Sequence, residues 1–222
     1  MAMLGNPQTT GIGSLPEMSI KEALKYSLSF DIPFFPQILS IHGDMISQAR
    51  EANFKYLQDF YDLCTKQNKM IVKVQIAGPS TTKLELNHYH KIMTLIQSHN
   101  FSGEVLIFID EPVWQHDSLL KINMIGKDLS IHTCANLSNF NIDDHDLKNI
   151  QYFSYDYILN PNLHENISEK EKLVPGCVDK DGKHEDIEFS GYKIISPTCG
   201  LAGSCDIEKV RDELERIKRT QE

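Results

Sequence analysis

Two cysteines, a histidine and an aspartate stand near the ends of predicted strands that lie far apart in the chain. His132 and Cys134 are two residues apart, Asp156 follows the next predicted strand and Cys199 follows the last one. Zinc takes these ligand types in tetrahedral geometry, and a catalytic zinc leaves one position open to substrate. Structural zinc sites usually show paired C-x-x-C knuckles, and the five cysteines of this sequence contain no such pair. The pattern predicts a catalytic zinc site.

Each candidate ligand also has a structural interpretation. A cysteine often fills a core as a small apolar residue, and a single histidine is more often hydrogen-bonded than metal-bound. The positions of these residues favour the interpretation as metal ligands. His132 and Cys134 project to the same side at a strand end, and Cys199 lies where a strand is followed by a loop. For Asp156, a role as a metal ligand and a role as a helix cap that accepts a hydrogen bond from a backbone amide are equally compatible with its position. The remaining cysteines are interpreted as core or structural residues: Cys64, Cys177 and Cys205.

Eight apolar runs alternate with helix-period segments, and these elements must position the ligands. The runs are rich in Val, Ile, Phe and Tyr and are bounded by Gly, Pro and Asn, which is typical of strands covered on both faces. They span residues 9–15, 34–39, 70–76, 104–109, 129–133, 150–155, 172–178 and 192–196. Between them, apolar stripes such as Phe54, Leu57, Tyr61 and Cys64 predict amphipathic helices.

This alternation predicts an α/β fold, a TIM (β/α)8 barrel in one domain over residues 1–222. The connections at 117–127 and 179–190 look too short for full helices, so the barrel is expected to be trimmed, and the second could be a mobile loop over the site. An open doubly wound sheet is the alternative. That fold normally carries a Gly-rich first turn, and this chain has only G-I-G-S.

Composition excludes several classes of partner. The 222 residues are 41% hydrophobic and carry a net charge of -9 without a basic cluster, which argues against nucleic acid. No apolar run approaches the roughly 18 residues of a membrane span, and the first residues do not resemble a signal peptide. We therefore expect a cytoplasmic protein with reduced thiols and no membrane partner.

Further polar residues fall at the predicted carboxyl ends of strands, where the active sites of TIM barrels lie. Ile12, Gly13 and Ser14 end the first strand, and Gln37 lies in the second. Asp110 and Glu111 suggest the paired acids of glycoside hydrolysis, but neighbouring strand residues point to opposite faces. We expect one acid to face the barrel mouth and the other to anchor a loop.

The segments T-T-G-I-G-S-L-P, I-A-G-P, I-D-E-P, H-T-C and S-P-T-C-G-L resemble, in order, those of the catalytic barrel of cobalamin-independent methionine synthase. The resemblance covers nearly the whole chain and extends to the wider superfamily of zinc methyltransferases and uroporphyrinogen decarboxylase. It implies a TIM barrel in which zinc binds a thiol such as homocysteine as thiolate for attack on a methyl group. Zinc lowers the pKa of a bound thiol enough for this near neutral pH.

The resemblance also implies roles for individual residues. His132, Cys134 and Cys199 match zinc ligands, and Asp156 stands where the family has a glutamate ligand. The segment of Ile12, Gly13 and Ser14 matches the one that binds the carboxylate of the amino-acid substrate. Asp110 matches the catalytic-site acid that receives its ammonium group. Gln37 falls near a family glutamate with the same task, and this neutral substitution puts homocysteine specificity in doubt.

Departures from the family pattern shape the expected function. The family's amino-terminal barrel is absent, and the segment after D-E-P that helps to hold the folate donor is short, so a polyglutamate donor is not expected. A corrinoid, free or held by a separate protein, is the alternative donor. Asp181 falls at about the place of the family's catalytic histidine, and His184 lies three residues later.

Three functions follow from these observations. The first is a zinc-dependent methyltransferase that acts on a small-molecule thiol in methionine biosynthesis or a related reaction. The second is a non-catalytic descendant that binds a thiol or a metal. The third is a decarboxylase of the uroporphyrinogen type, which the scarcity of arginine disfavours, since Arg50 is the only one before the last helix.

Overall fold

The computed structural model of the protein describes residues 6–184 and 191–220. One curled, barrel-like sheet of seven parallel strands lies at its centre, in the order β1-β7-β6-β5-β4-β3-β2. The strands are β1 Gln8–Thr9, β2 Ile71–Ala77, β3 Glu104–Asp110, β4 Leu129–Thr133, β5 Ile150–Asp156, β6 Leu173–Val178 and β7 Ile194–Pro197.

Eight α-helices accompany the sheet in the described part of the chain. They are α1 Ile20–Leu28, α2 Leu39–His42, α3 Met45–Glu51, α4 Leu57–Lys66, α5 Pro79–Thr82, α6 Leu86–Ser98, α7 Ser118–Ile125 and α8 Ile207–Arg219. Two short 3-10 helices, Leu163–Asn166 and Lys170–Lys172, connect β5 to β6.

The helices bury the stripes that their sequences predict. In α4, Leu57, Tyr61 and Cys64 are fully buried, and Phe54 just before it is nearly so. The last helix, α8, buries Val210, Leu214 and Ile217 against the outside of the sheet and starts at Asp206, whose side chain accepts a hydrogen bond from the Lys209 amide. These helices cover the outer face of the sheet, so its strands are buried on both sides.

The prediction of a strand at 34–39 is wrong, and the first strand, Gln8–Thr9, is shorter than the predicted 9–15. Residues 32–37 make only isolated parallel bridges, to Thr10 and Ser14 on one side and to Lys73 on the other. Pro33 and Pro36 have no amide hydrogen, so a continuous ladder cannot form there. The Phe34 amide bonds instead to the Ser27 hydroxyl at 2.9 Å. The segment therefore lies between β1 and β2 without forming a strand.

The two connections predicted to be too short for helices differ in outcome. The prediction for 117–127 is wrong, because α7 makes two turns there. The second connection, 179–190, begins with a turn in which Asp179 accepts hydrogen bonds from the Asp181 and Lys183 amides. Its residues 185–190 lie outside the described ranges.

The strand order favours the barrel-like architecture over the doubly wound sheet that was the alternative. Strands β2 to β7 neighbour one another in chain order and β1 lies beside β7, whereas a doubly wound sheet reverses direction at a central switch point. One large core cluster joins the helices to the outer face of the sheet, and a smaller cluster around Leu106 and Phe108 is separate from it. Within the described ranges, none of the helices has the length and apolar content needed to cross a bilayer.

Candidate metal and substrate site

Polar side chains from several strands meet at the carboxyl edge of the sheet. Because the strands are parallel, their ends lie along one edge, and the register pairs Asp110 of β3 with His132 of β4 and His132 with Ser154 of β5. Asp156 ends β5, and Cys199 follows β7 by two residues. The predicted ligands therefore belong to one region of the molecule.

His132 has the surroundings of a metal ligand held in a fixed orientation. Its side chain is fully buried, and Nδ1 lies 2.9 Å from the Ser154 hydroxyl oxygen. Its Nε2 is also buried and has no hydrogen-bond partner. In zinc proteins, a ligating imidazole is usually held by a hydrogen bond at its second nitrogen. The Ser154 contact and the unpartnered Nε2 fit that arrangement.

The two cysteine thiols interact with each other across the site. The nearby Cys134 thiol and then the His132 imidazole lower the pKa of Cys199 to about 4. The proximity of Cys199, together with burial, raises the pKa of Cys134. Cys134 is half-buried and Cys199 is exposed. Cys199 therefore ionises more readily than Cys134, and a thiolate is the form of cysteine that binds metals.

Asp110 and Asp156 lie within electrostatic reach of the thiols. Burial raises the pKa of Asp156, the negative charge of Cys199 raises it further, and His132 opposes both effects. One oxygen of Asp156 accepts a hydrogen bond from the Leu159 amide at 2.9 Å. Asp156 therefore caps a backbone amide and also lies near the two thiols. We call His132, Cys134, Asp156 and Cys199 the thiol site.

The thiol site is not as compact as a bound metal would require. Among the described residues, the one trio of ligating side chains whose ligand atoms all lie within 4.8 Å of one another is elsewhere: Asp143, His145 and Asp146. That trio lies in a turn before β5, where Asp143 accepts hydrogen bonds from the backbone amides of the other two residues. A zinc ion in the thiol site would have to draw its ligands closer together.

A cleft beside the thiol site contains most of the predicted substrate residues. Gly13, Ser14, Gln37 and Asp110 line it, whereas Ile12 is buried and does not. Its cavity volume is about 10 Å³, which is room for one water molecule. Two glutamines that the sequence analysis did not single out, Gln48 and Gln75, also line the cleft. We call Gln37, Gln48, Gln75 and Asp110 the amide cleft.

Asp110 and Glu111 have separate tasks, as predicted. Asp110 accepts a hydrogen bond of 2.6 Å from Gln75 in the amide cleft, and burial raises its pKa. Glu111 is fully buried and accepts hydrogen bonds from the Ser80 amide at 2.7 Å and from the Thr81 amide at 2.9 Å. A side chain at Gly78 would collide with Glu111, so glycine is required there. Glu111 anchors the loop after β2.

A buried lysine lies below the amide cleft. Lys73 of β2 donates to the Gly11 carbonyl oxygen at 2.9 Å, and its ammonium lies 4.4 Å from the centre of the Phe108 ring. Burial lowers the pKa of Lys73 to about 7, and the charge of Asp110 opposes that shift. Near neutral pH, Lys73 is therefore charged in only about half of the molecules.

The loop that carries Cys199 is fixed to the loop after β1. The Leu201 amide donates to the Ser14 carbonyl oxygen at 2.8 Å, and the Thr198 amide donates to the Val178 carbonyl oxygen at 2.9 Å. Gly200 approaches Ser14 so closely that a side chain would overlap the serine hydroxyl. These contacts join the thiol site to the amide cleft.

Sequence reasoning missed three residues of this region: Ser154, Gln48 and Gln75. A signal existed for Gln75, because Lys73 and Gln75 alternate with apolar residues in β2 and must face the same side of the sheet. Ser154 stands two residues before Asp156 and shares its side of β5 for the same reason. Gln48 lies on α3, and no pattern links that helix to the sheet edge. A scan against protein-family models and a search of curated proteins returned no match.

Proposed function

We propose that the protein is a zinc-dependent methyltransferase that activates a small-molecule thiol, homocysteine or a similar compound. The observation that carries the proposal is the thiol site, in which the unpartnered Nε2 of His132 lies beside two interacting cysteine thiols. His132, Cys134 and Cys199 are the proposed zinc ligands, with Asp156 as the carboxylate ligand. The resemblance of the H-T-C and S-P-T-C-G-L segments to the methionine synthase barrel supports this assignment.

The bound zinc would supply Lewis acidity that keeps an acceptor thiol deprotonated near neutral pH. The residues of the chain have the remaining tasks. Ser154 holds the imidazole of His132 in orientation through Nδ1. Asp110 receives the polar end of the acceptor in the amide cleft, because one of its buried oxygens has no hydrogen-bond partner. Gly13 and Ser14 also line this cleft.

The architecture we propose for this activity is a trimmed TIM barrel. The bridges of residues 32–37 support it, because they connect the β1 side of the sheet to β2. The Phe35 amide donates to the Lys73 carbonyl oxygen at 2.7 Å, and the Gln37 amide donates to the Gly13 carbonyl oxygen at 2.7 Å. A proline-interrupted segment would then take the place of the eighth strand.

The methyl donor in this proposal is not a folate polyglutamate. Only residues 111–117 separate β3 from the two-turn helix α7, which leaves little chain to hold such a donor. A corrinoid, or a corrinoid bound to a separate protein, is the donor we favour. All five cysteines are free thiols, which suits a reducing compartment such as the cytoplasm.

A second candidate is a non-catalytic protein that binds a thiol or a metal. Two observations favour it. The first is that no three of the proposed ligands have ligand atoms that all lie within 4.8 Å of one another. The second is that His184, the histidine nearest the family's catalytic position, has its Nδ1 2.7 Å from a carboxylate oxygen of Glu213 in α8. A decarboxylase of the uroporphyrinogen type gains no support, because the amide cleft is lined by glutamines and an aspartate rather than by arginines.

Metal content and thiol activation test the proposal in sequence. Purified protein should contain about one zinc per chain, and Cys134→Ser should lose most of it. Homocysteine added to the zinc-loaded protein should release about one proton per site as its thiol ionises, measured in weakly buffered solution. Zinc binding without proton release would favour the binding protein. Absence of zinc from metal-replete protein would refute the methyltransferase.

A further inference from the structure

A cavity of about 280 Å³ opens between the loop after β4 and the loop after β5. Residues of two short segments, 137–140 and 159–166, line it. Apolar side chains such as Leu137, Phe140 and Leu159 form about half of the lining, and Ser138 and three asparagines supply polar groups. We call this cavity the neutral pocket.

The neutral pocket differs in charge from two other cavities of the molecule. Among the described residues, none that lines the neutral pocket is ionisable. The amide cleft contains Asp110, and a groove beside α4 and α6 is lined by Asp62, Lys66 and His99. A charged group that entered the neutral pocket would lose water without gaining an opposite charge, which is unfavourable. The lining therefore favours an uncharged occupant.

Asn160 is a fixed part of the wall. It is 7% exposed, its side-chain oxygen accepts a hydrogen bond from the Leu137 amide at 2.7 Å, and its side-chain nitrogen donates to the Ala135 carbonyl oxygen at 2.9 Å. These bonds join the two loops, so the pocket is formed before a ligand binds. Asn162 and Asn166 are exposed, and each of their amide groups can both donate and accept a hydrogen bond to a ligand.

We propose that the neutral pocket binds an uncharged heterocycle of one or two rings that carries both hydrogen-bond donors and acceptors. The apolar side chains suit the faces of a ring, and the serine and asparagine side chains suit its polar edge. The volume lies just below the roughly 300–1,000 Å³ of pockets for drug-sized ligands. It therefore fits a small ring system better than an extended peptide.

The neutral pocket borders the thiol site. Asn160 also donates to the Asp156 carbonyl oxygen at 3.1 Å, and Ala135, to which it is bonded, follows Cys134 in the chain. The two loops that form the pocket thus begin at two of the proposed zinc ligands. That the bound heterocycle belongs to the methyl donor rests on the proposed function, whereas its chemical class rests on the lining of the pocket alone.

Three small probes of similar size test the class of ligand. Nicotinamide is uncharged, nicotinate has the same ring with a carboxylate, and benzylamine carries an ammonium group. The full chain, as purified, is titrated with each probe while the backbone amide shifts are followed by NMR. We expect nicotinamide to bind at least tenfold more tightly than either charged probe, with the largest shift changes in segments 137–140 and 159–166.

Two exposed leucines provide a variant and its matched control. Leu159 lines the neutral pocket and is 44% exposed, whereas Leu120 lies on α7 and is 63% exposed. Leu159→Asp should weaken nicotinamide at least tenfold and strengthen benzylamine, because it replaces an apolar wall with a negative charge. Leu120→Asp should change neither affinity. Circular dichroism checks that both variants keep the fold.

Equal affinities for the three probes would overturn the inference, as would shift changes centred outside the two segments or equal effects of the two variants. Shift changes in these segments that grow with protein concentration alone would also overturn it and would assign the surface to contacts between two copies of the chain. The probes contain no thiol and bind independently of zinc. Nicotinamide binding by a protein that takes up no zinc would therefore refute the methyltransferase and retain the pocket, and zinc uptake without nicotinamide binding would do the reverse.

Discussion

The thiol site and the amide cleft share one edge of the sheet but handle charge in opposite ways. In the thiol site, the pKa values of two thiols and a carboxylate are shifted by one another and by a neighbouring imidazole, and one of the thiols is exposed. The amide cleft has one carboxylate among three glutamines and contains three buried polar atoms without partners. The first region gathers groups whose pKa values depend on one another, and the second gathers buried hydrogen-bonding groups.

The largest expected effect is the loss of zinc affinity when a proposed ligand of the thiol site is replaced. Cys199→Ser should lower zinc affinity at least a hundredfold, because a hydroxyl is a much poorer zinc ligand than a thiolate. Zinc content by atomic emission and circular dichroism of the fold are the measurements. Two controls are available. Cys64→Ser should lower stability by about 2 kcal/mol through a buried hydroxyl and leave zinc unchanged, and the exposed Cys205→Ser should change neither. Full zinc occupancy in Cys199→Ser would remove this residue from the ligand set.

The next prediction separates the two neighbouring acids. Glu111→Ala should lower the free energy of unfolding by about 3 kcal/mol, because the Ser80 and Thr81 amides and the Thr81 hydroxyl lose their acceptor. Asp110→Asn should change it by about 1 kcal/mol or less, since it removes a buried charge and retains an acceptor for Gln75. Urea denaturation measures both. Equal losses would contradict the division between a cleft acid and an anchoring acid.

A third prediction concerns Ser154 and its contribution to zinc affinity through its contact with His132. Ser154→Ala should weaken zinc binding about tenfold, because the imidazole loses the hydrogen bond that holds its orientation. Ser130→Ala is the matched control, since the Ser130 hydroxyl is also buried on a neighbouring strand but has no partner. That variant should bind zinc as the wild type does. Competition with a chromophoric chelator measures both affinities, and a similar loss in the two variants would point to general disruption of the sheet.

The last prediction concerns Lys73 below the amide cleft. Its pKa is about 7 in the folded protein because of burial, whereas an unfolded lysine titrates near 10.5. Between these values the unfolded state binds more protons, so this group makes stability rise with pH across that window, by at most about 1.4 kcal/mol per pH unit. Lys73→Met should reduce the slope and stabilise the protein at pH 7. An unchanged slope between pH 7 and pH 10 would show that Lys73 titrates normally.

The sequence was informative where patterns are local. The fourth strand, β4, has the predicted bounds, and Cys64 and the apolar stripe of α4 are buried as predicted. The prediction of a strand at 34–39 is wrong because Pro33 and Pro36 have no amide hydrogen to donate to a neighbouring strand. The apolar composition of the segment predicts a strand without taking these missing donors into account. Cys205, interpreted as structural, is exposed. Its position depends on the path of the loop before α8, which no periodicity describes.

The site was predictable only in part, for the same reason. Residues at strand ends could be placed at one sheet edge because parallel strands share an edge, and this brought Asp110, His132 and Asp156 together. Gln48 could not be found in this way, since it reaches the cleft from α3, and the packing of a helix against the sheet depends on the full tertiary structure. Whether the ligands close around a metal likewise depends on distances that residue spacing does not determine.

The pairing of β1 with β7 has a consequence for synthesis. Thr9 pairs with Ile195, and Ser14 meets Leu201 across the same gap in the chain. At a ribosomal rate of about 5–20 residues per second, the first strand waits roughly 10–40 s for its partner. Contacts this distant in sequence also slow folding from the unfolded state. Cys199 is therefore the last of the proposed zinc ligands to be synthesised, so the loop after β7 would complete the proposed site.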